Sequence, residues 1–202
     1  TVSYTSSGLS PGTHNATITV TDAAATNNPQ TVAVTLTVTS SGGPAVAEDF
    51  NTEPSWTTTW NAGWGGAATW STPSGGQAGN HLQATRSNDG SSSRGKGYNI
   101  AAGTNYTIPI WMEGASAGST YWVECAYRLG SHSAQNFDAS AGSWTMIKKF
   151  ENAGGSNGNG DTWTKYSKTF NSGGNTQISV GFKSGVSGGG APAARWDTLR
   201  VE

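Results

Sequence analysis

Two triplets, Trp111-Met112-Glu113 and Trp122-Val123-Glu124, are nearly identical and stand eleven residues apart. Each couples a flat aromatic ring to a carboxylate two positions on. In an extended chain side chains alternate between faces, so the ring and carboxylate of each triplet share one face. Upstream, the stretch 56–70, WTTTWNAGWGGAATW, holds Trp56, Trp60, Trp64 and Trp70. Gly63, Gly65, Gly66 and three successive threonines disfavour a helix there. Trp60 and Trp64 therefore fall in a Gly-rich connection, where a ring either folds back as a plug or projects from the surface. Trp is usually well buried, so a core role is the ordinary explanation for many of the nine. A projecting ring has other uses: it stacks on the C–H face of a sugar while nearby polar groups fix the hydroxyls. Glu113 and Glu124 could instead act as an acid and base across a glycosidic bond. With so few charges in the chain, binding is the better reading than cleavage.

Whether the two triplets cooperate depends on strand register. If they lie on neighbouring strands with Trp111 opposite Trp122 or Glu124, all four side chains line one face. Ala126 and Arg128 then join them. The connecting GASAGST does not reveal its turn type, so the register stays open. On the other register one Trp is core and the other a solitary surface residue.

Other patterns carry less. G-x-S-x-G occurs at 114–118, 154–158 and 185–189, but a nucleophile elbow needs a following helix and none is expected. With 29 glycines, chance explains all three. His14, His81 and His132 are far apart and read as structural or exposed. No His/Cys cluster suggests zinc. The oxygen-rich loops DASAG and NGNGD lack the EF-hand spacing. No catalytic residue is assigned. The net charge is −1 and the eleven basic residues are scattered, which gives no nucleic-acid footprint. No apolar run reaches 18 residues, so no spanning helix is expected. Cys125 is the only cysteine, which excludes an intrachain disulfide. Charged residues make up 11%, against about 25% on average. A Thr-, Ser-, Asn- and Gly-rich surface with few charges points to an extracellular setting, secreted or on a cell surface. The chain opens at Thr1 without a signal peptide and reads as a mature or excised piece.

The elements that must position these residues read as strands throughout. Ala16, Ile18 and Val20 alternate with threonines, and so do Val32, Val34, Leu36 and Val38. That period of two predicts two half-buried strands joined by the turn-forming TDAAATNNPQ, after a short strand near Val2–Tyr4. SSGGP at 40–44 is a linker signal. Beyond it come short candidates: His81–Ala84, Tyr106–Glu113, Thr120–Tyr127, Trp144–Phe150, Trp163–Phe170, Gln177–Phe182 and Arg195–Val201. Many short strands between Gly, Ser and Asn clusters argue for a sandwich or jelly roll.

Two resemblances follow from these residues. SGLSPGTHNATITVTD with NNPQTVAVTLTV resembles the last three strands of a bacterial immunoglobulin-like spacer repeat, which implies a partial immunoglobulin-like sheet. In the second region AEDFNTEPSW, GNHLQATRS, GTNYTIPIWMEG, DTWTKYSKTF and ARWDTLRVE occur in the order of galactose-binding-like jelly rolls, as in carbohydrate-binding and adhesin modules. That resemblance makes Trp163 and Phe170 core positions. It also implies a structural Ca²⁺ between the opening and closing strands, at Asp49, Asn51 and Asp197. The sequence departs from the pattern at Asn51 and Thr198, where acidic residues are usual, and fewer charges weaken a hard-cation site.

The expectation is thus an all-β chain: a partial immunoglobulin-like sheet at 1–40, a linker at 41–45 and a β-sandwich jelly roll at 46–202. The expected function is non-catalytic binding of a polysaccharide or surface glycan, as a module of a larger exported bacterial protein. Trp60, Trp64, Trp111, Glu113, Trp122, Glu124 and Arg128 are the candidate binding residues. The rival reading is a structural cell-surface or filament subunit that pairs with other copies through residues 1–40. Three strands alone leave an apolar face open to water.

Overall fold

A computed structural model describes residues 12–38, 45–56, 58–61, 68–114, 120–130, 144–152, 162–187 and 193–202. The chain divides into two compact units, Thr1–Gly43 and Pro44–Glu202. All the regular elements among the described residues are strands. No helix there is long and apolar enough to cross a membrane.

In the first unit β1 (Gly12–Val20) pairs antiparallel with β2 (Gln30–Val38). The register sets Ala16 against Val34 and Ile18 against Val32. Directly opposed residues share a face, so the two expected apolar stripes are one continuous stripe. Val20 and Val32 on it are 57% and 53% exposed. The strand expected near Val2–Tyr4 lies outside the described residues.

The second unit is a β-sandwich of two five-stranded sheets. One, which we call the front sheet, runs β12 (Thr145–Asn152), β11 (Thr120–Leu129), β14 (Gln177–Ser187), β9 (Gly90–Asn99) and β4 (Thr58–Asn61). The other, the back sheet, runs β13 (Thr164–Asn171), β10 (Asn105–Gly114), β15 (Ala193–Asp197), β8 (Leu82–Thr85) and β5 (Thr69–Ser71). The pairings within both are antiparallel. The opening strand β3 (Val46–Glu48) pairs with the closing strand β16 (Leu199–Val201). A small hairpin joins β6 (Ser74–Gly76) to β7 (Gly79–Asn80). The long strands from β9 to β11, and again from β12 to β15, alternate between the sheets, the crossing pattern of a jelly roll.

Alternation decides what each strand buries. Ile108, Ile110 and Met112 of β10 face Val123 and Cys125 of β11 and Val180 and Phe182 of β14 in one core. Burial pushes the Cys125 thiol pKa well up, so it stays a packed thiol. At one end of the core Trp70 stacks on Trp196, with ring centres 5.7 Å apart. Trp56 meets Trp70 and Phe182 edge-on. Trp56 and Trp70 thus pack against the core as the composition allows, and Trp196 is its largest fully buried side chain. Phe170 packs against it too, stacked on Tyr106.

Two expectations are corrected. The predicted closing strand 195–201 is two strands, β15 and β16. Thr198 takes φ 51° between them, while its amide donates to the Asp197 carboxylate at 2.6 Å. Second, β10 and β11 do not pair. They belong to opposite sheets, so the chain passes from one layer of the sandwich to the other between them.

Candidate functional site

That crossing separates the two triplets. In β10 the even positions 106–112 enter the core, so Trp111 and Glu113 lie on the outer face of the back sheet. In β11 Val123, Cys125 and Tyr127 enter the core, so Trp122, Glu124, Ala126 and Arg128 lie on the outer face of the front sheet. The single four-residue patch is therefore not formed. The same geometry rules out Glu113 and Glu124 as an acid/base pair. Sheets pack about 10 Å apart, and residues on the two outer faces lie further apart still, whereas glycosidase carboxylates stand roughly 5–9.5 Å apart.

The front sheet carries four of the candidates on its strands. Trp122 opposes Gly185 of β14, which opposes Ser91 of β9. A side chain on Gly185 would place its Cβ 2.5 Å from Cε3 of Trp122. The ring therefore lies across the neighbouring strand instead of standing off the sheet, and it is half-buried. One row along, Glu124 is opposed by Lys149 of β12 and Lys183 of β14. Its carboxylate is 4% exposed, with the Lys149 ammonium 3.7 Å away. Lys183 in turn opposes Ser93, and Ser93 opposes Trp60 on the far strand. Ala126 opposes Gly181 and Met146, and Trp144 packs on that alanine. Arg128, half-exposed, opposes Ser179. Apart from Lys183, small residues run between β11 and the Trp60 strand: Gly185, Gly181 and Ser179 on β14, and Ser91 and Ser93 on β9. Trp64 lies outside the described residues.

The back face collects a different group. Glu113 opposes Arg195 of β15, which opposes Gln83 of β8. Arg195 Nη1 donates to Glu113 Oε1 in an ion pair, and its Nε donates to Gln83 Oε1 at 2.9 Å. His81 sits next to this row and meets Trp163 edge-on at 5.4 Å. Trp163 is only half-buried and packs here, outside the core cluster where the resemblance placed it. Sequence reasoning missed Gly185, Gln83, His81 and Arg195, because nothing in their local spacing reports which strands become neighbours.

The calcium candidates do not form a ligand set. Asp49 is ion-paired to Arg200 Nη2. Asp197 is fully buried, and its oxygens accept the amides of Ala78, at 3.0 Å, and of Thr198. The Asn51 side-chain and backbone oxygens both accept from Asn80. Among the described residues no group of three or more His, Cys, Asp or Glu could hold a metal ion. A hard cation asks for six to eight oxygens, carboxylates among them. One carboxylate committed to a guanidinium and one to amide hydrogens do not fit that demand. His14 is a partly buried residue of β1, and His132 lies outside the described residues.

No protein-family model matches the chain. No curated protein matches it either. Solved structures do resemble it. The carbohydrate-binding module TmCBM61 in complex with β-1,4-galactotriose is 9% identical, over 71% of this chain and 86% of that one, with a TM-score of 0.47. The K3 cleaved adhesin domain of Lys-gingipain from Porphyromonas gingivalis is 13% identical, over 79% of this chain and 99% of that one, at 0.49. A structure of carbohydrate-binding modules from the β-sandwich superfamily is 15% identical, over 96% of this chain and 75% of that one, at 0.42. At such identities and scores these likenesses add nothing to what the strand order shows. Fold does not fix function.

Proposed function

We propose that residues 44–202 bind a polysaccharide or surface glycan without cleaving it, as a module of a larger exported protein. The observation that carries this reading is Trp122 laid across Gly185 on the outer face of the front sheet. A ring lying along a sheet turns one π face outward, as stacking on a sugar's C–H face requires. Along the same strand Glu124 and Arg128 supply an acceptor and donors for hydroxyls. Gly181, Gly185, Ser91 and Ser179 keep the intervening floor low.

Affinity electrophoresis and calorimetry against a panel of soluble polysaccharides test this. Trp122→Ala should weaken binding by about fivefold or more, since stacking a ring is worth about 1–3 kcal/mol by analogy with nucleic-acid bases. The melting temperature should hardly change. Equal binding by the variant, or no retention on any polysaccharide, overturns the reading.

A second reading has its own observation, the apolar stripe of β1 and β2. Ala16, Ile18, Val32 and Val34 lie side by side in register, and Val34 is exposed as well as Val32. Exposed apolar faces and open strand edges favour association. In this reading the chain pairs with further copies through residues 12–38. Sedimentation of the full chain beside a chain starting at Gly43 tests it. Assembly by the long form alone supports pairing, and two monomers overturn it.

A further inference from the structure

The outer face of the back sheet holds a pocket of about 300 Å³, lined by Pro73, Ser74, Gly75, His81, Gln83, Glu113 and Arg195. That volume is at the small end of small-molecule sites. We propose that this pocket binds a single neutral sugar residue, the end or side branch of a glycan, separately from the Trp122 face. The choice of a sugar rests on the binding function proposed above; the existence of a second site rests on the pocket itself.

Charge sets the class of ligand. Glu113 is 5% exposed and ion-paired to Arg195, so carboxylate and guanidinium cancel. A phosphate would meet the carboxylate, and a cation would meet the guanidinium. A neutral polyol avoids both conflicts. Each hydroxyl donates one hydrogen bond and accepts others. Neighbouring hydroxyls on one ring can therefore use the acceptor of Glu113 and the donors of Arg195 and Gln83 together. These three side chains stand in one row because β10, β15 and β8 align them.

His81 gives an independent sign that the pocket is meant to be filled. It is 4% exposed, and neither Nδ1 nor Nε2 makes a hydrogen bond of good geometry, although the Gln83 side chain is near enough to raise the imidazole pKa. Gln83 is beside it, but its amide is turned to Arg195 and to Thr85 Oγ1. Buried polar atoms left unmatched are costly and uncommon. Burial also lowers the imidazole pKa, which keeps the ring neutral with one donor and one acceptor. Those are again the complements of hydroxyls. Aromatic surface is close by, in Trp163 against His81 and in Trp111 two positions before Glu113 on the same face. Gly75 takes φ 91°, which suits glycine and leaves the rim without a side chain.

The test titrates a panel of neutral methyl pyranosides into the full chain while following the ring resonances of His81, Trp163 and Trp122 by NMR. One glycoside should shift His81 and Trp163, saturate, and leave Trp122 unmoved. It should do the same in Trp122→Ala, and Gln83→Ala should weaken it at least tenfold. The wild-type titration stands by itself if Gln83→Ala folds poorly. No shift at the solubility limit of any glycoside overturns the proposal. So does a response centred on Trp122, or a response to inorganic phosphate in place of the sugars. Polysaccharide retained through Trp122 with a silent pocket defeats the second site alone. A pocket that titrates in a chain retaining no polysaccharide keeps this proposal and defeats the Trp122 face.

Discussion

His81 is a side chain whose chemistry depends on its burial. Desolvation holds its pKa below the ordinary 6.5, against a hydrogen bond with the Gln83 side chain that raises it; Arg195 lowers it further, and Asp197 and Glu113 raise it. The unfolded chain therefore takes up this proton at higher pH than the folded one. Above pH 6.5 both states are neutral and the group contributes nothing to the pH dependence. As pH falls below 6.5 the unfolded state binds the extra proton and stability declines. Melting curves of the wild type and His81→Gln between pH 8 and 5 isolate this, because the carboxylates are common to both. The wild type should lose more stability than the variant below about pH 6.5, the reference value from which the shift starts. Parallel losses would mean that His81 does not titrate on unfolding.

At the scale of elements, β11 and β14 make one working surface. Trp122 belongs to one strand and its seat, Gly185, to the other. Gly185→Ala would bring a Cβ to 2.5 Å from the ring and to 3.1 Å from Ser91 Cβ. The ring must then swing off the sheet. Overpacking of this kind costs about 1–3 kcal/mol. We expect a lower melting temperature and several-fold weaker polysaccharide binding, with the pocket around His81 unaffected. Calorimetry of the two ligand classes on this one variant checks both parts. Unchanged polysaccharide binding would show that the lie of the Trp122 ring does not matter.

At the scale of the molecule, the second unit closes on side-chain packing and strand pairing. Its two ends of sequence meet in β3 and β16, and Arg200 of β16 holds Asp49 just past β3. A guanidinium joins those strands in the place where the family resemblance implied a cation. A ligand that binds only the folded state raises stability by mass action, and stripping it lowers the melting temperature. We therefore expect identical melting curves with and without a chelator, and with added Ca²⁺. A chelator-dependent fall, restored by Ca²⁺, would show that Asn51 and Asp197 bind the ion despite their present partners.

The sequence by itself determined the class of fold and most of the strands. Alternation in β1, β2, β10 and β11 is a local signal, since the period of two belongs to the chain whatever its neighbours are. It also determined that Trp111 shares a face with Glu113, and Trp122 with Glu124. It did not reveal β9, whose GSSSRGKGYN has no apolar alternation, yet β9 is an inner strand of the front sheet. Its serines and glycines suit a strand hemmed in by β14 and β4, and that crowding is a tertiary fact. Only the tertiary structure decided that the two triplets turn away from each other on opposite sides of the sandwich. Register and sheet membership depend on where the chain crosses between layers, and no side chain within GASAGST records it. The row of Glu113, Arg195 and Gln83 draws on residues up to 112 positions apart, so the pocket exists only once three distant strands are side by side.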